Sequence, residues 1–413
     1  MKLAVVDHMG NRGGGSRLVR ALLPALRACR PGMEIVYFGN PSSIKRENTK
    51  EEFLRIGIKV KELKSARFVN IDAQGTFRMS KIIRLLQDKF GGRVPFLPPF
   101  LAGAVHKEVE RAVKGFDLSF FPWPYLMECP QVEGPMVAIF HDFNYKYFFG
   151  ARIYTAGQLN TLNRQMPVWL EKATPVASTY FMRAELGKFY PEYADKVKVV
   201  HLASFSLGSD INVTEAEEML KALGINSQYV IYPTHLTIHK NIGPLLSAIS
   251  LLNEMGHDIS LVLTGSGTEM ATGRACMLGV EKDNSRPNVI GLGYVTNRQM
   301  DALIQCAAAV VTSSLYEAGN GPGLDGWARG VPVAMSNIPS FLEHMAVQGV
   351  RAEVFDPRNP RDIAAKIRKI ILNPAKAKAD ALYSKEAFKN WTWTEVAKKY
   401  LSIFDEALER SAR

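Results

Sequence analysis

Apolar residues in this chain come in short, β-branched runs separated by stretches with helical spacing. Strand-like runs stand at Leu3–Asp7, Ile35–Phe38, Leu118–Phe121, Met136–Phe140, Pro175–Ser178 and Val197–Leu202. A second series stands at Tyr229–Thr234, Ser260–Thr264, Val289–Gly293, Ala308–Ser313, Pro332–Ser336 and Val354–Asp356. Helical patterns lie between them, among them Ser16–Cys29, Met79–Lys89, Ile242–Met255, Asn297–Cys306 and Pro360–Leu372. Continuous apolar runs predict strands buried on both faces, and strands alternating with helices predict parallel sheets covered by helices. The polar stretch Ser204–Ser227 breaks the rhythm and predicts a linker between two α/β halves. A final amphipathic pattern, Trp393–Leu408, predicts a helix.

Composition adds little to this picture, but the placement of charge does. The chain has 413 residues, 47% hydrophobic and 22% charged, enough for two domains with full cores. No apolar run reaches the roughly 20 residues of a membrane span. The chain enters its first strand at once and shows no signal-peptide pattern, and Cys29, Cys129, Cys276 and Cys306 are far apart without a CxxC. They read as buried thiols in a reducing compartment, which predicts a cytoplasmic protein. Of the net charge of +11, residues 1–114 carry a surplus of twelve, with 22 Lys and Arg against 10 Asp and Glu. That asymmetry predicts an anionic partner for the first half: a membrane surface on its inner face, a lipid-linked acceptor, or nucleic acid. Nucleic acid is the weakest of these, since no RNP, zinc-finger or basic-zipper pattern occurs.

The densest chemistry lies in Ser314–Glu343, which reads SLYEAGNGPGLDGWARGVPVAMSNIPSFLE. Glu317 precedes a loop of Gly319, Asn320, Gly321, Pro322 and Gly323, and Asp325 follows. The string begins after a buried strand and runs into a helix. Such a turn aims backbone N–H groups and the positive end of a helix outward, which suits phosphate. Carboxylates beside it can accept hydrogen bonds from sugar and ribose hydroxyls. An isolated acid pair would do no more than cap a helix and meet solvent.

The complete string resembles the retaining family 4 glycosyltransferases, whose signature is two glutamates separated by seven residues and followed by a Gly-Val-Pro-Val turn. Glu317, Pro322 and Gly330-Val331-Pro332-Val333 match it. Asp325 replaces the second glutamate, and Ala318-Gly319-Asn320 replaces the usual Gly-Phe-Gly. The resemblance is good over residues 229–372 and weaker back to Lys2. It implies the GT-B architecture: two doubly wound Rossmann-like domains with an interdomain cleft. The expected division is 1–205 for the acceptor, 206–392 for the nucleotide sugar, and 393–413 as a helix crossing back onto the first domain.

Three further segments support the resemblance. Asp7-His8-Met9-Gly10-Asn11-Arg12-Gly13-Gly14-Gly15-Ser16 follows the first strand and is not the GxGxxG of a dinucleotide site. The resemblance implies that Gly13, Gly14 and Gly15 face the donor. Phe140-His141-Asp142 follows another strand; here the family places its histidine near the donor sugar, and Asp142 is expected to accept the His141 ring N–H. In Tyr232-Pro233-Thr234-His235-Leu236-Thr237-Ile238-His239-Lys240-Asn241, Lys240 matches a pyrophosphate lysine. His235 stands where relatives place arginine, and a neutral imidazole there needs a proton before it can help. Gly265, Gly293 and Tyr294 complete the expected nucleotide site, with Ala318, Gly319, Asn320 and Gly321 at the sugar.

The expected reaction is transfer of a hexose from a nucleotide diphosphate sugar to a hydroxyl of a glycan or lipid-linked acceptor, with retention. It calls for no cofactor beyond the co-substrate and no metal. Glu317, His141 and Lys240 carry the chemistry, and Asp325 holds the ribose. The His-Lys-Asn run favours mannose, and UDP-linked sugars stay open. Other readings are a nucleotide-sugar epimerase, an inactive glycosyltransferase-like binding subunit, a phosphorylase, for which a pyridoxal-lysine signature is missing, and a Rossmann oxidoreductase.

Overall fold

The computed structural model describes residues 1–9, 14–46, 48–68, 99–148, 156–205, 211–270 and 289–412. The helix expected over Met79–Lys89, and Cys276, lie outside them. The chain divides into two compact units, Met1–Leu202 with Trp393–Arg413, and Ala203–Thr392.

The first unit holds a seven-stranded parallel sheet. Its strands are β1 (Lys2–Asp7), β2 (Glu34–Gly39), β3 (Lys59–Glu62), β4 (Leu118–Phe121), β5 (Met136–Ile139), β6 (Ala173–Ala177) and β7 (Lys198–Val199), in the order β3-β2-β1-β4-β5-β6-β7. Leu3, Ala4, Val5 and Val6 of β1 are all fully buried, as a central strand requires. The helix Gly14–Cys29 buries Leu18, Val19, Leu22, Leu23 and Leu26 on one face. The helix Trp393–Ala412 belongs to this unit and packs beside Gly14–Cys29. Its Tyr400 and Phe404 rings stand 5.6 and 5.4 Å from Phe120 of β4, and Asp405 receives a two-point hydrogen bond from Arg30, each arm 2.7 Å.

The second unit holds β8 (Gln228–Pro233), β9 (Ile259–Thr264), β10 (Val289–Gly291), β11 (Ala309–Thr312), β12 (Val333–Ser336) and β13 (Glu353–Phe355), all parallel, in the order β10-β9-β8-β11-β12-β13. One core joins Val230, Leu245, Ile249, Leu261, Val311 and Ile367. Gly326 lets the helix Gly321–Arg329 lie close on the sheet, because a Cβ there would stand 3.0 Å from both Val310 and Val333.

Parallel sheets with flanking helices are what the periodicity predicts, and the differences have local causes. β3 (Lys-Val-Lys-Glu) escapes the hydrophobic pattern because among the described residues it is an edge strand, paired with β2 alone and largely exposed. The strand expected over Val197–Leu202 shortens to Lys198–Val199. The Ser204–Ser227 stretch is more than a linker: Val213–Ala222 is a helix, capped by the Asn212 side chain accepting from Glu215 N–H at 2.9 Å. Only Ala216 and Leu220 of it are buried, so its apolar stripe is too narrow to stand out in the sequence. Cys129 is buried, its thiol pushed up to about 12 by desolvation, while Cys29 and Cys306 are only partly buried. Among the described residues no helix is long and apolar enough to cross a membrane.

Candidate active site

In each sheet the strand order reverses direction beside the first strand, between β1 and β4 and between β8 and β11. Open parallel sheets bind ligands outside the carboxyl ends of strands at such a point. Lys240 and Glu317 follow β8 and β11 there, while Gly265, Gly293 and Tyr294 follow the neighbouring β9 and β10.

Two loops meet at the β8/β11 point. Ser313 Oγ donates to the carbonyls of Lys240 and Asn241 at 3.1 and 3.3 Å, and Leu315 N–H donates to the His239 carbonyl at 2.8 Å. Asn241 takes a left-handed conformation, φ 55°, which asparagine tolerates better than most residues, and starts the helix Ile242–Glu254. This zipping brings Lys240 Nζ against Glu317 Oε1 across 77 residues of chain. The two side chains are 14% and 19% exposed. Ser314 Oγ also donates to Glu317 Oε1, at 2.7 Å, and lies 2.6 Å from the buried Tyr232 hydroxyl, whose pKa is raised by desolvation and then by the Glu317 charge. A cation at a helix N-terminus is electrostatically poor unless an anion accompanies it, and Glu317 is that anion here.

His235 and His239 flank the pair, their rings 5.8 Å apart. Desolvation, then the Lys240 charge, then His239 push the His235 pKa down to about 3, against a smaller opposing pull from Glu317. His239 is held well below its ordinary value by burial and then by Lys240. At neutral pH both are therefore neutral imidazoles, and Lys240 is the cation of this group.

The expected nucleotide glycines are joined to one another. Thr234 N–H donates to the Thr264 carbonyl at 2.7 Å, and Gly265 N–H to the Gly293 carbonyl at 2.6 Å. Gly265 has φ +120°, and a Cβ there would fall 1.9 Å from the Thr234 carbonyl oxygen, so only glycine fits. Tyr294 beside them is half exposed.

Asn320 and Asp325 stand apart from Glu317 in what they bond. Asn320 is buried and caps the helix Gly321–Arg329: Oδ1 accepts from Gly323 N–H at 3.1 Å and Nδ2 donates to Thr312 Oγ1 at 3.2 Å. Asp325 is 2% exposed, and its Oδ1 accepts from Ser204 Oγ at 2.8 Å and Phe205 N–H at 2.7 Å. The Phe205 ring lies near Gly321, where a Cβ would stand 3.7 Å from it. Ala318 and Gly319 complete the turn between Glu317 and this cap. Ser204 and Phe205 have no signal of their own in the sequence, because their partner is about 120 residues away.

In the first unit Gly13 lies outside the described residues, Gly14 opens a helix, and Gly15 meets the Trp123 ring. Trp123 stacks on His141, with ring centres 4.6 Å apart. The expected Asp142–His141 bond is replaced. The Pro122 carbonyl takes the His141 Nε2–H at 2.6 Å, which uses the single N–H of the neutral ring, and Asp142 Oδ1 accepts from Asn144 N–H at 3.1 Å in a local turn. Fully buried His8 likewise donates Nε2–H to the Tyr125 carbonyl at 2.9 Å. Desolvation lowers both histidine pKa values to about 4, against the raising effect of those carbonyls.

Comparison with known proteins bears on the fold and on the second unit's stretch of sequence. Residues 215–389 match the family described as Glycosyl transferases group 1. An uncharacterized glycosyltransferase of Methanocaldococcus jannaschii is 26% identical over 247 residues, covering 56% of this chain and 60% of that protein. The O-antigen chain mannosyltransferase B of Escherichia coli is 26% identical over 233 residues, with the same coverage. The chain thus spans about 60% of the length of these curated relatives. Among solved structures, Anabaena HepE in complex with UDP and glucose superposes with a TM-score of 0.68 at 14% identity, covering 98% of this chain and 100% of that one. WaaG, a glycosyltransferase involved in lipopolysaccharide biosynthesis, gives 0.64 at 13%, covering 97% and 99%. The fold is of the GT-B class, and the stretch that matches the group 1 glycosyl transferases, residues 215–389, carries the Lys240–Glu317 pair.

Proposed function

We propose that this chain transfers a hexose from a nucleotide diphosphate sugar to a hydroxyl of a glycan or lipid-linked acceptor, with retention, in the making of a surface polysaccharide. The observation that carries this reading is the Lys240–Glu317 pair at the β8/β11 switch point. In the free protein the two charges neutralise each other. With donor present, phosphate takes the ammonium and sugar hydroxyls take the carboxylate. Neither state leaves a half-buried charge alone, which would be costly.

The chemistry follows from those placements. The bond from the anomeric carbon to phosphate breaks, and the sugar passes through an oxocarbenium-like state. The acceptor oxygen bonds to the same face, and its proton passes to the departing phosphate oxygen. Lys240 stabilises the charge growing on the diphosphate, because Asn320 already takes the N–H groups of Gly323 and Leu324 at the start of Gly321–Arg329. Glu317 orients the sugar. Neutral His235 offers a hydrogen bond without a charge. The likeness to the O-antigen mannosyltransferase supports mannose, and the structural likeness to HepE keeps UDP-glucose in view.

A second reading, a donor-binding subunit without turnover, is favoured by one observation: Asp325 Oδ1 and the Asn320 side chain are already engaged within the protein. A thermal-shift screen of GDP, UDP and their sugars, followed by turnover, separates the two. A nucleotide at 100 times its dissociation constant adds about 2.7 kcal/mol. Stabilisation with transfer supports the transferase, stabilisation without transfer supports the subunit, and no stabilisation by any nucleotide defeats both.

A further inference from the structure

Lys240 and Ser314 hold the carboxylate of Glu317 directly, and the path of the turn that follows it, Ala318–Asn320, sets where its backbone stands. That path is held from outside the turn. Asn320 N–H donates to His344 Nε2 at 3.1 Å, and both residues are 1% exposed. His344 stands on the helix Pro339–Gln348, one turn before Gln348, and its Nδ1 lies 2.8 Å from Gln348 Oε1. A backbone N–H can only donate, so Nε2 is the bare nitrogen of the ring. Nδ1 then carries the proton and donates to the Gln348 oxygen. The ring is a neutral imidazole fixed in one tautomer. Its approach is close: a Cβ on Gly319 would stand 3.3 Å from the same Nε2.

We propose that His344 is a positioning residue for the Glu317 turn, acting through the Asn320 amide, with Gln348 setting the tautomer that makes this possible; its consequence for catalysis rests on the glycosyl-transfer reading above. What matters is an acceptor at the depth of Nε2. Glutamine can carry an oxygen to about that depth, whereas asparagine reaches only as far as Nδ1. An imidazolium would set a second N–H against the Asn320 N–H. The Asn320 side chain, bonded to Gly323 and Thr312, passes the hold on to the helix cap and to β11.

Amide exchange over residues 315–323 of the full chain tests this directly, with His344→Asn, His344→Gln and Gln348→Leu beside the parent. Removing the acceptor leaves a buried N–H unpaired, so exchange at Asn320 rises about tenfold or more in His344→Asn. His344→Gln stays within about threefold of the parent, and Gln348→Leu falls between. Equal exchange in parent and His344→Asn overturns the proposal, as does a His344→Gln protein that exchanges as fast as His344→Asn. If His344→Asn does not fold, Gln348→Leu carries the test, and no rise there overturns it. Turnover of the nucleotide sugar used by the parent adds a readout that mere stabilisation would not move: kcat falls in His344→Asn and returns in His344→Gln, measured well below each variant's melting temperature. A raised exchange rate in a protein that binds no nucleotide keeps the positioning role and removes the transferase reading.

Discussion

Beyond the carboxyl ends of β1, β4 and β5 in the first unit stand rings, with the Asp7 and Asp142 carboxylates each accepting from neighbouring N–H or hydroxyl groups. His8 and His141 are neutral, each tied by one N–H to a backbone carbonyl, and Trp123 stacks on His141. Beyond β8 and β11 in the second unit stand a carboxylate and an ammonium, with a tyrosine–serine hydroxyl chain behind them. Both sheets reverse strand order in the same way, so the architecture does not decide the chemistry. The side chains placed at the reversal do. A ring-lined end suits an uncharged, partly apolar surface such as a sugar face. A charged, hydroxyl-rich end suits phosphate and polar edges. The two ends also respond differently to change: both hold histidines kept neutral by burial and so sensitive to protonation, but the second is also open to the loss of a charge partner.

The sharpest way to break the contrast is to remove the charge from the second end. Glu317→Gln keeps the shape and leaves Lys240 without its anion. Turnover is expected to fall about 100-fold or more, the size of a lost transition-state contact. Parent-like rates would show that the pair is structural. The first end is tested by acid. His8 and His141 titrate near 4 in the folded chain and near 6.5 when unfolded, so the unfolded state binds more protons between those values. The contribution of these two histidines is therefore flat above about pH 6.5 and falls below it, each costing on the order of 2 kcal/mol at pH 5. Melting temperatures at pH 7 and pH 5 for the parent and for His8→Gln measure this, and an unchanged slope in the variant removes His8 from the account. The smallest effect is expected from Asp325→Ala, which frees Ser204 Oγ and Phe205 N–H. The nucleotide dissociation constant should rise about tenfold with a smaller change in kcat, by calorimetric titration. An unchanged constant would confine Asp325 to tying down the Ser204–Phe205 segment.

The strands could be read from the sequence because β1, β8, β9 and β11 are buried on both faces and carry unbroken apolar runs. β3 could not, since an edge strand with charged residues has no such run. Glu317 and Lys240 could be named from their local strings. Their contact could not be read, because it depends on Ser313 and Leu315 bonding to the other loop. The local string also misled at Asp142, where a neighbour in sequence looked like a partner and a distant carbonyl, that of Pro122, took the ring N–H instead. His344 gave no sign at all. It lies in a short helix with no strong apolar stripe, and only the fold sets it under Gly319.

The helix Trp393–Ala412 completes the first unit, yet it is made after every residue of the second. On a ribosome adding about 5–20 residues per second, the 190 residues of Ala203–Thr392 take roughly 10–40 s. During that interval the face of β4 that holds Phe120 waits without Tyr400 and Phe404. The second unit, continuous in the chain, can close as soon as it emerges. Synthesis thus runs the two halves in the reverse of their numbering: the later half finishes first, and the earlier half stays open to chaperones and to misassembly until the last helix arrives.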